Sequence, residues 1–80
     1  MIIKFYTEGC QPCYALSTLL DNKMVNYVSC NIESDWALAA EHKIRSVPTL
    51  LNTETNNRLI GFKDKETVEG WLNDNPSWLL

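Results

Sequence analysis

Short runs of β-branched and aromatic residues alternate along the chain with segments whose apolar positions recur at helical spacing. Residues 2–6 (Ile-Ile-Lys-Phe-Tyr) predict a strand, and Thr7-Glu8-Gly9 a turn. Between residue 10 and about residue 22, Cys13, Leu16, Leu19 and Leu20 share one helical face. Residues 25–30 alternate and predict a second strand. Ser34-Asp35 is an N-cap pair that opens a second helix, with Trp36, Ala39, Ala40 and the stem of Lys43 near one face. Ser46-Val47-Pro48 breaks that helix. Residues 49–51 predict a third strand, 54–57 a polar turn and 58–62 a fourth strand. Asp64 caps a last helix reaching about residue 73, whose inward stripe is Val68, Trp71 and Leu72. Asn75-Pro76 ends it, before the apolar tail Ser77-Trp78-Leu79-Leu80.

The predicted order is β-α-β-α-β-β-α. A helix between the first two strands calls for a right-handed parallel crossover. A short polar loop between the last two calls for a hairpin. The fold class is therefore α/β, a four-stranded mixed sheet flanked by helices on both faces. Eighty residues make a single domain, 1–80, with a small core and a thin stability margin.

Composition narrows the function. Hydrophobic residues at 45% and charged residues at 21% are ordinary for a globular chain. The net charge of −3 and seven scattered basic residues speak against nucleic acid as the main partner. The first residues show no basic leader or cleavage site, and no run approaches the ~18 apolar residues of a membrane span. A monomeric, cytoplasmic protein with no membrane partner is expected. Three cysteines fit a secreted disulfide framework poorly. A C-x-x-C pair in such a chain points to redox chemistry or to metal.

Cys10-Gln11-Pro12-Cys13 falls where a strand gives way to a helix. The first turn of a helix carries unpaired N–H groups and the positive end of the dipole. A thiolate there is stabilised, so its pKa falls below the free value of about 8.5. Cys10 is the more exposed thiol, and Cys13 lies one turn inward within reach of it. Thiol–disulfide exchange needs this arrangement, with a nucleophile outside and a resolving thiol behind. Pro12 suits the first turn, where its missing N–H costs nothing. The alternatives are a structural cysteine pair or a zinc half-site. Zinc needs four ligands, and only Cys30 and His42 remain as candidates.

The Cys10-Gln11-Pro12-Cys13 motif after a strand, followed by Ile44-Arg45-Ser46-Val47-Pro48-Thr49-Leu50-Leu51, resembles the thioredoxin family. Asn31-Ile32-Glu33 between them and Gly61 after the fourth strand strengthen the likeness, which runs from about Ile3 to Asn75. The resemblance implies a minimal, glutaredoxin-sized thioredoxin fold without the N-terminal strand and helix of longer members. It implies that Cys10 attacks, Cys13 resolves and Pro48 follows a cis peptide bond. It implies a substrate-binding rim of Gly9, Pro12, Val47, Pro48 and Gly61, with Phe62 beside it. The partners would be disulfide-containing proteins, ribonucleotide reductase among them, and a donor of the thioredoxin-reductase type. No bound cofactor and no metal are needed.

The chain also departs from the family. Gly9 stands where thioredoxins carry Trp, Lys4 where they carry a buried Asp, and Ser29 where a Lys neighbours that Asp. The Lys4 ammonium either lowers the Cys13 pKa by proximity or snorkels to solvent over a packed stem. Ser46-Val47-Pro48 is similar to a glutaredoxin's Thr-Val-Pro. Gly61-Phe62-Lys63 is similar to glutaredoxin-like donors that serve ribonucleotide reductase. Two other functions stay open: a glutathione-dependent glutaredoxin, and a non-catalytic interaction subunit using the same fold. Cys30 reads as a small buried hydrophobe, His42 as an exposed residue at a helix end, and Trp36 and Trp71 as packing residues. Glu8 reads as a solvated turn carboxylate. Trp78-Leu79-Leu80 reads either as a docking patch or as cover for a sheet edge.

Overall fold

The structure, a computed structural model, describes residues 1–79. Four strands form one sheet: β1 (Ile2–Tyr6), β2 (Val28–Asn31), β3 (Thr49–Asn52) and β4 (Arg58–Ile60), in the spatial order β2-β1-β3-β4. β1 runs parallel to β2, with Lys4 opposite Ser29, and antiparallel to β3, with Lys4 opposite Leu50. β3 and β4 form the antiparallel hairpin, Thr49 opposite Ile60. Three helices complete the fold: α1 (Gln11–Asn22), α2 (Trp36–Glu41) and α3 (Lys65–Asp74). None of the described helices is long and apolar enough to cross a membrane.

Strand alternation divides the core between the two sheet faces. Ile2 and Leu50 point to one face, where Leu16 and Leu20 of α1 and Val68 and Leu72 of α3 cover them. Ile3, Phe5 and Leu51 point to the other, together with Cys30 of β2, where they meet Ala39 of α2. Trp71 packs against the first cluster as its spacing predicts. Trp36 does not pack: it is 70% exposed. A six-residue helix has under two turns, and its buried position is Ala39 alone; Ala40 and Lys43 are exposed as well.

Two strand boundaries move by two residues or more from the sequence pattern, each for a backbone reason. Val25 is buried but lies outside β2. Met24 takes φ 58°, and the Val25 N–H donates to the Leu20 carbonyl while Met24 N–H donates to Asp21. These bonds close α1 as a Schellman turn, so the Val25 N–H serves the helix end rather than the sheet. The fourth strand stops at Ile60 rather than residue 62 because Gly61 turns the chain at φ 84°. Its N–H donates to the Pro48 carbonyl at 2.7 Å.

The tail also has a defined place. Pro76–Leu79 form a 3-10 turn, and Trp78 packs against the core cluster shared by α1 and α3. Its Nε1–H donates to the Leu72 carbonyl at 3.0 Å, and its own carbonyl accepts from Asn26 Nδ2 at 3.1 Å. The tail thus seals the core beside α3 and not a sheet edge; Leu80 lies outside the described residues. A buried amide cluster fastens the same end. Asn75 Oδ1 accepts from Asn52 Nδ2 at 3.0 Å and Asn57 Nδ2 at 3.2 Å, and Asn75 Nδ2 donates to the Trp71 carbonyl at 2.9 Å. The two bonds from Asn52 and Asn57 tie the hairpin to the end of α3, and the third holds Asn75 on that helix end.

Candidate active site

β1 is extended and central, so it delivers the chain to one end of the sheet. Thr7, Glu8 and Gly9 then turn it into α1, with Gly9 at φ 76°, a conformation open to glycine at little cost. Glu8 is exposed in this turn. Cys10 is the N-cap of α1, in extended backbone (φ −88°, ψ 102°), and its Sγ accepts the Cys13 N–H at 3.2 Å. A sulfur at this position takes the bond that Ser or Asp takes at other N-caps. Pro12 sits in the first turn and is exposed with Gln11. No acidic side chain stands in that turn to offset the positive helix end.

Cys10 and Cys13 are joined as a disulfide, with their Cα atoms 5.2 Å apart. Cys13 is 1% exposed on the apolar stripe of α1, whereas Cys10 is only half-buried. One sulfur is therefore open to a partner and the other is hidden behind it.

The remaining predicted site residues gather at the same end of the sheet. Phe5 lies opposite Thr49, so Pro48, one residue before β3, stands at the end where β1 runs toward Cys10. The Val47–Pro48 peptide is cis. Thr49 Oγ1 donates to the Ser46 carbonyl at 2.8 Å and braces the approach to it. Ile60 lies opposite Thr49, and the Gly61–Pro48 hydrogen bond joins the third segment to the second. Val47 and Phe62 are half-buried, Val47 against the Phe5 cluster and Phe62 against the α1–α3 cluster. Neither side chain stands free on the rim.

The other zinc candidates are elsewhere. Cys30 is buried on the α2 side of the sheet, opposite to α1. Burial, and Asp35 to a lesser extent, pushes its thiol pKa up. His42 caps the end of α2 and is half-buried rather than exposed; its ring lies 6.2 Å from that of Phe5. Neither joins the cysteine pair.

Two contacts escape the sequence reading, that of Tyr14 with Gly9 and that of Lys4 with Ser17. Tyr14, off the apolar stripe and 44% exposed, accepts the Gly9 N–H on its hydroxyl at 3.0 Å, clasping the turn before Cys10. Its only signal is a hydroxyl-bearing ring one turn after the motif begins. Lys4 is 5% exposed and does not snorkel. Its ammonium donates to Ser17 Oγ of α1 and lies 5.0 Å from the Tyr6 ring centroid and 5.4 Å from that of Tyr27. Burial lowers its pKa from the ordinary 10.5, with Asp21 acting against that shift.

Tyr27 beside it donates to Asp21 Oδ1 at 2.7 Å, and its pKa is pushed up to about 12 by burial first and the Asp21 contact second. The folded value lies above the unfolded value of 10.0, so the folded state keeps a proton that the unfolded chain loses. That contribution is complete below pH 10 and is lost as pH rises toward 12. Urea midpoints should fall across that window, and Tyr27→Phe should flatten the fall. Lys4, shifted down, acts in the opposite sense and below 10.5, which separates the two.

Comparison with known proteins interprets this site. No protein-family profile matches the chain. The thioredoxin of Chlamydia pneumoniae is 30% identical over 81 residues, covering 91% of this chain and 79% of that protein. The chain belongs to the thioredoxin family. The thioredoxin of Rickettsia felis is 28% identical over 82 residues, covering 91% of this chain and 78% of its own length. In fold, mitochondrial thioredoxin 3 of Saccharomyces cerevisiae superposes with a TM-score of 0.78 at 22% identity, over 91% of this chain and 76% of that one. As a thioredoxin family member carrying the Cys10–Cys13 pair, the protein is a thiol–disulfide oxidoreductase. Its substrates are disulfides in proteins, and a reductase supplies its electrons.

Proposed function

We propose that Cys10 is the attacking thiol and Cys13 the resolving one in reduction of partner disulfides. The contrast in burial carries this reading: Cys10 is reachable at the helix start, and Cys13 is 1% exposed behind it. In the first step the Cys10 thiolate attacks a partner disulfide and one partner sulfur leaves as a thiolate. In the second, Cys13 Sγ attacks Cys10 Sγ, the mixed disulfide breaks and the second partner sulfur leaves. The partner gains two electrons and the Cys10–Cys13 disulfide forms.

Gly9, Pro12 and Gly61 form the rim that receives the partner; the Pro48 ring is buried beneath it, so Val47 and Pro48 contribute backbone only. Small or ring-closed side chains leave room for an extended segment, and main-chain groups beside Pro48 suit strand-like pairing. Ribonucleotide reductase is among the partners we propose, on the likeness of Gly61-Phe62-Lys63 to donors that serve it.

The electron source follows as a thioredoxin-reductase-type enzyme rather than glutathione. The test is to offer the oxidised protein either thioredoxin reductase with NADPH or glutathione alone, and to count thiols over time. Reduction by the enzyme at least about tenfold faster supports this reading, and reduction by glutathione alone replaces it with the glutaredoxin one.

A further inference from the structure

Among the described residues Lys4 is the one buried cation of the sheet face that carries α1, and the exchange chemistry gives it no role. Its neighbours there are defined. Ser17 and Asp21 face it from α1, Tyr6 from β1, and Tyr27 from the segment before β2. The rest of that face is the apolar cluster of Ile2, Leu16, Leu50, Val68 and Leu72. Asp21 itself is exposed and engaged by the Tyr27 hydroxyl, so it neutralises the ammonium only in part.

Ser17 stands four residues after Cys13, directly below it on the same side of α1. The hydrogen bond from Lys4 thus fixes a positive charge at Ser17, a residue one helical turn along α1 from Cys13. Cys13 needs such help. Before it attacks, it must lose its proton, and at 1% exposure burial opposes the thiolate. A cation held nearby in the same poorly hydrated layer counters that cost, because interactions there are screened less than at the surface.

We propose that Lys4, anchored by Ser17, is a positioning residue for the resolving step, holding its ammonium where it favours the Cys13 thiolate. This rests on the reading of Cys13 as the resolving thiol. The step stays balanced: Cys13 Sγ attacks Cys10 Sγ, the bond to the partner sulfur breaks, and the partner leaves as a thiolate that takes up the proton Cys13 released. Lys4 keeps its proton throughout.

Reaction of the fully reduced protein with excess 5,5′-dithiobis(2-nitrobenzoate) tests this. Attack by Cys10 releases one thionitrobenzoate at a rate that rises with reagent, and resolution by Cys13 releases a second at a rate that does not. Cys30, buried with its thiol pKa raised, stays out of both phases. Lys4→Met should slow the second phase about tenfold at pH 7 and move its pH midpoint up by about one unit, leaving the first phase unchanged. Lys4→Arg should restore most of the rate. Ser17→Ala should slow the second phase several-fold, and it decides the matter if Lys4→Met does not fold. A second phase with unchanged rate and midpoint in Lys4→Met, or in Ser17→Ala where that variant decides, overturns the proposal. Absence of a second phase in the unsubstituted protein refutes the resolving role of Cys13 instead.

Discussion

Cys10→Ser should abolish reduction of partner disulfides, while Cys13→Ser should keep the first attack and trap the partner on Cys10. The two losses differ because the two sulfurs stand differently. Cys10 is the sulfur at the open helix start, and a serine hydroxyl there ionises far too weakly to replace it. Turnover should drop by about a thousandfold or more, the scale on which loss of a nucleophile acts. Cys13 is buried, so its removal leaves Cys10 able to open a disulfide but unable to finish. Intact-mass spectrometry after mixing with a disulfide-bonded protein separates the outcomes. Cys13→Ser should appear as a covalent adduct that dithiothreitol removes, and Cys10→Ser as the free chain. Adducts on Cys10→Ser in place of Cys13→Ser would reverse the two roles.

The second large effect is on stability. Phe5 is fully buried at the centre of the sheet face covered by α2, among Ile3, Cys30, Ala39 and Leu51. Removing a buried phenyl ring costs about 3–5 kcal/mol in transfer and cavity terms. A domain of 80 residues has only about 4–12 kcal/mol in total, taking roughly 0.05–0.15 kcal/mol per residue. Phe5→Ala should therefore unfold at far lower urea, or be unfolded without it. Trp36→Ala, at a side chain 70% exposed, should stay within about 0.5 kcal/mol of the parent. Fluorescence-detected urea titrations measure both. A larger loss at Trp36 than at Phe5 would mean that α2 packs through its aromatic residue and not through Ala39.

Trp36 shows where a sequence pattern stops informing. Three residues before Ala39, it has the spacing of an inward position, yet α2 is too short to bury it. Val25 shows a second limit. Its apolar side chain was readable as core, but its N–H closes the Schellman turn of α1, and side-chain alternation carries no sign of that. By contrast, β1, α1, the β3–β4 hairpin and α3 follow from periodicity and turn residues, because their side-chain patterns and backbone bonds agree. The cysteine pair was legible for the same reason: its chemistry needs a strand-to-helix junction, and the pattern marks one. Lys4 was legible in direction, since alternation puts it on the face of Ile2. Its contact with Ser17 was not, because a long flexible stem can end in several places.

The direct measurement is a stoichiometric transfer. Fully reduced protein is mixed with an excess of a disulfide-bonded protein such as insulin, quenched by acid and alkylated, and both are mapped by mass spectrometry. One partner disulfide should open for each Cys10–Cys13 disulfide formed, with Cys30 recovered as a thiol. Cys10 and Cys13 remaining as thiols beside an intact partner, or partner thiols appearing without the Cys10–Cys13 bond, would contradict a dithiol carrier.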